Sequence, residues 1–166
     1  NHKFLIDIFN EIHKKDNNAH LLLIGKGELE NEIRDKIERL ELDKFVTIIA
    51  PVANINEYYM AMDVFVFPSL GEGLSLSTLE AAACGLPLIV SENSGVNDVM
   101  IDGEEGFIIP IQSVDAIYEK VEWFVQHRNQ IQIMGERARQ MAFKYTWDNY
   151  YARIKEIFQK EIGTEE

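Results

Sequence analysis

The stretch PSLGEGLSLSTLEAAACGLP, residues 68–87, decides how the rest of this chain is interpreted. A short apolar run at 64–67 reads as a strand that leads into it. A loop with two glycines, Gly71 and Gly73, follows, and an apolar segment at 76–84 reads as a helix stopped by glycine and proline. A strand, a glycine loop and a helix N-terminus in this order predict a site for a phosphate group.

The predicted helix start supplies the chemistry of such a site. With the helix beginning near Ser75, the amides of Ser75, Leu76 and Ser77 have no intrahelical partner. Gly71 and Gly73 allow unusual backbone angles and a close approach of the ligand. Together these groups place a partial positive charge of ~0.5 at the loop, which suits a diphosphate.

Two carboxylates flank this predicted anion site, Glu72 in the loop and Glu80 in the helix. A carboxylate beside a phosphate is unfavourable unless it accepts hydrogen bonds from the hydroxyls of an attached sugar. Two other readings stay open on spacing alone. Ser77 and Glu80 have the spacing of a helix capping box, and Glu72 also fits a solvated loop acid.

Length and composition narrow the class of protein. The chain has 166 residues and a net charge of −12, which argues against nucleic acid or an anionic membrane as the partner. A phosphorylated ligand needs only local donors and stays possible. The single cysteine, Cys84, predicts a reducing compartment and reads as a small buried hydrophobe. No apolar run reaches the ~20 residues of a membrane span.

Apolar strand-length segments alternate with amphipathic helical ones along the whole chain, which predicts an α/β domain with a parallel sheet and helices on both faces. The first helix has no strand before it, so we expect a preceding strand in a longer sequence. The predicted strands are 20–24, 45–49, 64–67, 88–90 and 107–109. The predicted helices are 2–14, 28–40, 55–62, 76–84, 96–101, 113–128, 130–143 and 147–162, the last with many apolar residues that need a covering surface.

Two further loops follow predicted strands and are candidate ligand loops, because ligands bind beyond the carboxyl ends of parallel strands. Gly25, Lys26 and Gly27 form either a phosphate nest or a plain strand-to-helix turn. The loop at 50–54 is either a ligand loop or an ordinary connection.

The run PSLGEGLSLSTLEAAACGLPLIVSENSGVNDVMIDGEEGFIIP resembles the donor-binding segment of retaining GT-B glycosyltransferases, the family called group 1 or family 4. The match lies in two glutamates separated by seven residues, Glu72 and Glu80, followed by a small-residue helix and Gly85-Leu86-Pro87. The segments LLLIGKGELENEI, DVFVFPS and YTWDNYYARI resemble the family as well. The resemblance therefore covers essentially the whole chain.

The resemblance implies a role for each matching position. Glu72 would be the catalytic-site residue beside the donor sugar, and Glu80 would bind the ribose hydroxyls of a UDP- or GDP-type sugar. The family needs neither a metal nor a further cofactor. The remaining donor-binding positions are Gly73, Leu74, Ser75 and Leu76 around the diphosphate, Ala50, Pro51 and Val52 at the base, Ser94 and Gly95 near the donor, and Gly25.

Residues 1–166 would then form the Rossmann-like, nucleotide-sugar-binding C-terminal domain of a GT-B enzyme that transfers a hexose in polysaccharide biosynthesis. Its first strand, the family's arginine and lysine, and the N-terminal domain for a saccharide or lipid-linked acceptor would lie before Asn1. The resemblance implies a cytoplasmic protein, with membrane association only in the full-length enzyme. Ser75, Ala50 and the run at 94–98 depart from the family pattern.

Two alternatives use the same fold. One is a nucleotide-sugar epimerase of GT-B type, which requires acid–base residues that have no obvious place in this sequence. The other is a Rossmann-like nucleotide-binding module without catalysis.

Overall fold

The computed structural model describes residues 1–162, which form an alternation of parallel strands and helices. The strands are β1 (Leu21–Ile24), β2 (Val46–Ile49), β3 (Phe65–Phe67), β4 (Leu88–Ser91) and β5 (Gly106–Ile109). The helices are α1 (His2–Lys15), α2 (Glu30–Arg39), α3 (Ile55–Tyr59), α4 (Leu76–Ala83), α5 (Val114–Gln126), α6 (Arg128–Ala142) and α7 (Trp147–Ile162). Every predicted strand is present, and the α/β class is confirmed.

One predicted helix, at 96–101, is reduced to a single 3₁₀ turn at Val96–Asp98. The Ile101 amide donates to the Glu105 carboxylate at 2.8 Å, so a side chain takes the place of the next helical acceptor. This local competition explains why the apolar spacing at 96–101 overestimates the helix. Helix α3 likewise ends three residues earlier than predicted, at Tyr59.

The five strands form two hydrogen-bonded sheets, whereas the sequence pattern predicts one. Strands β1 and β2 pair in parallel, with Leu21 opposite Val46. Strands β3, β4 and β5 form a second parallel sheet in that order. Within residues 1–162, no ladder joins β1 to β3.

Helix α1 is the element that packs against both sheets. Leu5, Ile6 and Phe9 lie in the apolar cluster under β1 and β2. Ile8 and Ile12 lie in the cluster under β4 and β5. Ile6 and Ile8 are completely buried, and each stabilises the fold by about 1.5–3 kcal/mol relative to an exposed side chain. One amphipathic helix therefore covers the junction between the two sheets.

A third apolar cluster joins α4 to α6. The helices approach so closely at Gly135 that a Cβ there would lie 2.0 Å from the Gly85 carbonyl oxygen. The absence of a side chain at Gly135 thus permits this packing, which fixes α4 on the domain.

Helix α7 has the apolar residues predicted for it, and most of them are exposed. Trp147 is 73% exposed and Phe158 is 62% exposed. The described part of the chain therefore leaves this face largely uncovered.

Candidate functional site

Helix α4 begins where the sequence predicts, with Ser75 as its N-cap. The Ser75 hydroxyl accepts a hydrogen bond from the Thr78 amide at 3.4 Å. The alternative capping box of Ser77 and Glu80 is therefore wrong, because Ser75 and not Ser77 occupies the cap. Ser75 has φ −69° and ψ 118°, which any residue adopts, so a serine in the family's glycine position causes no strain.

The amides before and at this helix start remain open. Among the residues that the structure describes, none accepts a hydrogen bond from the amides of Gly73, Leu74, Ser75 or Leu76. The loop is solvent-exposed, with Leu74 at 42% and Leu76 at 59%. Free amides at an exposed helix start give the partial positive charge that an anion requires.

The loop after β4 packs directly against this loop. The Glu72 amide donates to the Asn93 carbonyl oxygen at 2.9 Å, and the Ser91 hydroxyl donates to the Ser69 carbonyl oxygen at 2.5 Å. Gly95 lies so close that a Cβ there would be 2.3 Å from the Gly73 carbonyl oxygen. The structure therefore brings Ser94 and Gly95 to the edge of the predicted anion site.

Gly95, and not the two glycines of the motif, has the unusual backbone angle. Its φ is +66°, in the left-handed region that favours glycine. Gly71 and Gly73 have no positive φ, and a Cβ at either position would meet nothing within 4 Å. These two glycines therefore do not use the conformational freedom that glycine allows, and the open space around them leaves room for a ligand.

The two glutamates lie before and after the helix start along the chain. Glu72 is exposed in the loop, and Glu80 is exposed in the second turn of α4. The Tyr59 hydroxyl, on α3, lies close enough to the Glu80 carboxylate for this charge to raise its pKa. Tyr59 is 5% exposed and packs edge-on against Phe65, so its ring has a fixed position.

Burial, together with the nearby Glu80 carboxylate and then Cys84, raises the pKa of Tyr59 to about 12. Because the hydroxyl keeps its proton across the physiological range, it remains a donor that can orient the carboxylate. Burial also raises the pKa of the Cys84 thiol, which suits a half-buried packing residue better than a reactive one.

The other predicted donor-binding positions, residue 25 and residues 50–52, follow the carboxyl ends of β1 and β2. Ala50 and Pro51 are exposed and Val52 is half-buried, and the loop leads into α3, which contacts α4. The Gly25 amide is already bonded to the Ile49 carbonyl oxygen at 2.9 Å. Helix α2 has two acidic residues in its first turn, Glu30 and Glu32, which disfavour an anion beside Gly25.

The sequence analysis missed Tyr59 and Asn93. Tyr59 belongs to a short helix whose contact with Glu80 spans a strand and a loop. Asn93 contributes a backbone carbonyl, which every residue has. No local sequence signal marks either contact.

Residues 1–162 contain no cluster of three or more His, Cys, Asp or Glu side chains arranged to hold a metal ion. They also contain no helix with the length and apolar content required to cross a bilayer.

Residues 1–127 match the sequence model of the glycosyl transferases group 1 family. The chain therefore belongs to this family. It is 35% identical over 137 residues to CapM of Staphylococcus aureus, a capsular polysaccharide biosynthesis glycosyltransferase, with 81% of this chain and 36% of CapM covered. It is 30% identical over 146 residues to AmsD of Erwinia amylovora, an amylovoran biosynthesis glycosyltransferase, with 87% and 38% covered.

Solved structures place the fold in the same class. The crystal structure of Anabaena HepE in complex with UDP-glucose matches with a TM-score of 0.85 at 19% identity, covering 95% of this chain and 44% of HepE. The C-terminal domain of the group 1 glycosyltransferase LpcC from Francisella tularensis matches with a TM-score of 0.76 at 21% identity, covering 86% and 77%. The Rossmann-like domain of a GT-B fold is thereby confirmed. The chain spans well under half the length of the polysaccharide biosynthesis relatives.

We expect Gly95→Ala to separate the two loops, because the added Cβ collides with the Gly73 backbone at a positive φ. The free energy of unfolding should fall by roughly 1–3 kcal/mol, and hydrogen exchange at the Glu72 amide should accelerate. Urea denaturation and NMR exchange measure the two effects. Gly71→Ala, which adds a methyl into open space, is the control. Stability and Glu72 exchange unchanged from wild type would contradict the loop contact.

We expect the free energy of unfolding to fall as pH rises from 10.0 to about 12, because unfolded Tyr59 loses its proton at the lower value and folded Tyr59 at the higher. Tyr59→Phe should remove this component of the pH slope. Tyr151→Phe, at a position 70% exposed, should leave it unchanged. Urea denaturation across this pH range measures the free energy of unfolding of each variant. The same dependence on pH in the wild type and in Tyr59→Phe would exclude the raised pKa of Tyr59.

Proposed function

We propose that residues 1–166 bind the nucleoside diphosphate sugar of a retaining hexosyltransferase. The observation that carries the proposal is the group of free amides at the start of α4, with Glu72 and Glu80 on either side. Free amides attract the diphosphate, and carboxylates accept hydrogen bonds from hydroxyls. A ligand that combines both groups satisfies the whole site.

The diphosphate would rest on the amides of Gly73, Leu74, Ser75 and Leu76. The two loops at 68–76 and 91–95 contain no lysine or arginine, so within them only backbone donors and the helix dipole favour the anion. The same donors would stabilise the charge that develops on the diphosphate as it leaves the sugar. No metal is required in this scheme.

The ribose hydroxyls would donate to Glu80, whose carboxylate lies near the protonated Tyr59 hydroxyl. The base would contact the loop of Ala50, Pro51 and Val52, which joins β2 to α3. Because α3 also holds Tyr59, one short helix would link the base and ribose contacts. Glu72 would lie beside the transferred sugar, with Ser94 and Gly95 across the loop contact from it.

The relatives support a sugar nucleotide and a polysaccharide product. The HepE structure contains UDP-glucose, and CapM and AmsD are named for capsular polysaccharide and amylovoran biosynthesis. A saccharide or lipid-linked acceptor would bind a separate N-terminal domain, and catalysis would take place in the cytoplasm. We expect residues 1–166 alone to transfer no sugar.

We expect Glu80→Gln to weaken UDP or GDP binding by about tenfold or more, because a hydrogen bond to a carboxylate is worth about 1.5–3 kcal/mol. The wild type should prefer the ribonucleotide over its 2′,3′-dideoxy analogue by a similar factor, and Glu80→Gln should lose this preference. Calorimetry measures both affinities.

Glu38→Gln, an exposed acid on α2, is the matched control for loss of charge. If Glu80→Gln keeps the full preference for ribose, Glu80 does not bind the ribose. If the wild type binds neither nucleotide, the donor site itself is excluded.

We expect the protein with its complete gene-encoded sequence to transfer a hexose from one member of a UDP- and GDP-sugar panel with retention of anomeric configuration. NMR of the product reports the configuration. Glu72→Gln should lower kcat by roughly 100-fold or more. Conversion of the donor to its epimer favours the epimerase, and donor binding without turnover favours the non-catalytic module.

A further inference from the structure

The turn after β4 holds Asn93 in a fixed backbone position beside the glycine loop of the candidate site. The Ser94 amide donates to the Ser91 carbonyl oxygen at 3.0 Å, so Glu92 and Asn93 are the central residues of this turn. The Asn93 carbonyl oxygen also accepts the hydrogen bond from the Glu72 amide at 2.9 Å. One bond within the turn and one bond to the glycine loop therefore fix the point from which the Asn93 side chain extends.

The two central residues of the turn have different surroundings. The Glu92 amide donates to the Ile109 carbonyl oxygen at 2.9 Å, and its carboxylate accepts from the Ile111 amide at 3.5 Å, so Glu92 is tied to the end of β5. Asn93 is exposed, and within residues 1–162 its carboxamide group has no hydrogen-bond partner. The exposed Glu72 carboxylate has none in the same range of residues. The side chains at 72 and 93 are therefore both available to a ligand.

The backbone bond between Glu72 and Asn93 also keeps these two side chains close together. A main-chain hydrogen bond of 2.9 Å places the two Cα atoms roughly 5–6 Å apart, as in a pair of strands. Both residues follow the carboxyl ends of β3 and β4, where parallel sheets bind their ligands. The free amides of residues 73–76 come directly after Glu72 in the chain. A carboxylate, a carboxamide and free amides thus lie at one exposed junction of two loops.

The chemistry of the carboxylate and the carboxamide matches a sugar hydroxyl. A carboxylate only accepts hydrogen bonds, a carboxamide both donates and accepts, and a hydroxyl has one donor and two acceptor sites. One hydroxyl can therefore donate to Glu72 and at the same time accept from the Nδ2 group of Asn93. An ionised phosphate oxygen has no proton to give to Glu72, so the two side chains suit the sugar of the donor and not its diphosphate.

We propose that Glu72 and Asn93 bind the same hydroxyl of the transferred hexose, which makes Asn93 a residue that determines which donor sugar is accepted. This inference rests on the proposed function, because it names the class of sugar that the same site selects. Glu72 already lies beside the sugar in that function. Asn93 adds a contact from the loop after β4.

The charges of the two loops indicate that the selected sugar is uncharged. Residues 68–76 and 91–95 contain two acids, Glu72 and Glu92, and no lysine or arginine. The carboxylate of a hexuronic acid beside Glu72 would be repelled, with no cation in either loop to offset the repulsion. A neutral hexose has the hydroxyls that Glu72 and Asn93 require and lacks this charge. The substrate class is therefore the nucleoside diphosphate of a neutral hexose.

The test uses the protein with its complete gene-encoded sequence and measures dissociation constants by calorimetry. The probes are UDP, GDP and three matched pairs of sugar nucleotides, in which glucose or galactose on UDP and mannose on GDP are each compared with their uronic acids. Each pair differs only at C6 of the sugar, so the comparison isolates the charge. We expect the wild type to bind the best neutral sugar nucleotide about tenfold or more tighter than its uronic acid counterpart.

We expect Asn93→Ala to weaken binding of this neutral sugar nucleotide by about fivefold, because one hydrogen bond is lost, and to leave the plain nucleoside diphosphate within about twofold. Asn93→Asp keeps the size of the side chain but lacks the N–H donor, so it should weaken sugar-nucleotide binding at least as much. Both variants keep the backbone carbonyl that binds the Glu72 amide. Asn17→Ala, at an exposed asparagine before β1 and thus at the opposite edge of its sheet, is the matched control.

A double-mutant cycle tests whether the two side chains bind the same hydroxyl. Glu72→Gln and Asn93→Ala should each weaken binding of the neutral sugar nucleotide. Because the two groups share one hydroxyl, the double variant should bind about threefold or more tighter than the product of the two separate effects predicts.

Four outcomes would overturn the proposal. Equal weakening of the sugar nucleotide and the plain diphosphate in Asn93→Ala means that Asn93 supports the loop without contacting the sugar. Wild-type affinity in Asn93→Ala means that it has no role in binding. Multiplicative effects in the double variant mean that the two side chains bind different groups, and tighter binding of a uronic acid means that the sugar class is wrong. Each of these results leaves the proposed function standing. If the wild type binds none of the nucleotides, the proposed function is wrong and this inference is wrong with it.

Discussion

The contact between the backbones of Gly95 and Gly73 is the constraint on which the candidate site depends. It holds the loop after β4 against the loop before α4, and the Glu72–Asn93 and Ser91–Ser69 hydrogen bonds lie along the same junction. A side chain at position 95 would occupy the space of the Gly73 carbonyl group. With the loops held together, the amides from Gly73 to Leu76 stay free of internal partners and open to solvent.

A chain with a net charge of −12 can offer an anion site because the relevant field is local. Charges separated by more than about 10 Å are screened at ordinary salt concentration, whereas amides in contact with a ligand are not. The acidic groups near the site have a second use, as acceptors for hydroxyl groups. Tyr59 lies near Glu80, and its raised pKa keeps its hydroxyl protonated and uncharged beside this carboxylate.

The glycine loop of the site begins at the carboxyl edge of β3, where the Asn1 side-chain amide donates to the Pro68 carbonyl oxygen. Helix α1 packs against both sheets, since its buried side chains divide between the cluster under β1 and β2 and the cluster under β4 and β5. The helix that covers both sheets therefore starts beside the loop of the candidate site.

The sequence by itself determined the order of strands and helices, the start of α4 and the class of the fold. These depend on apolar periodicity, on glycine and proline stops and on a serine cap, all of which act over a few residues. It did not distinguish Ser75 from Ser77 as the cap, because both lie within one turn. Only the tertiary structure placed Tyr59 near Glu80, joined Glu72 to Asn93, gave Gly95 its left-handed backbone angle and divided the strands between two sheets. Each of these depends on segments brought together by packing, and a pattern of neighbouring residues contains no record of such distances.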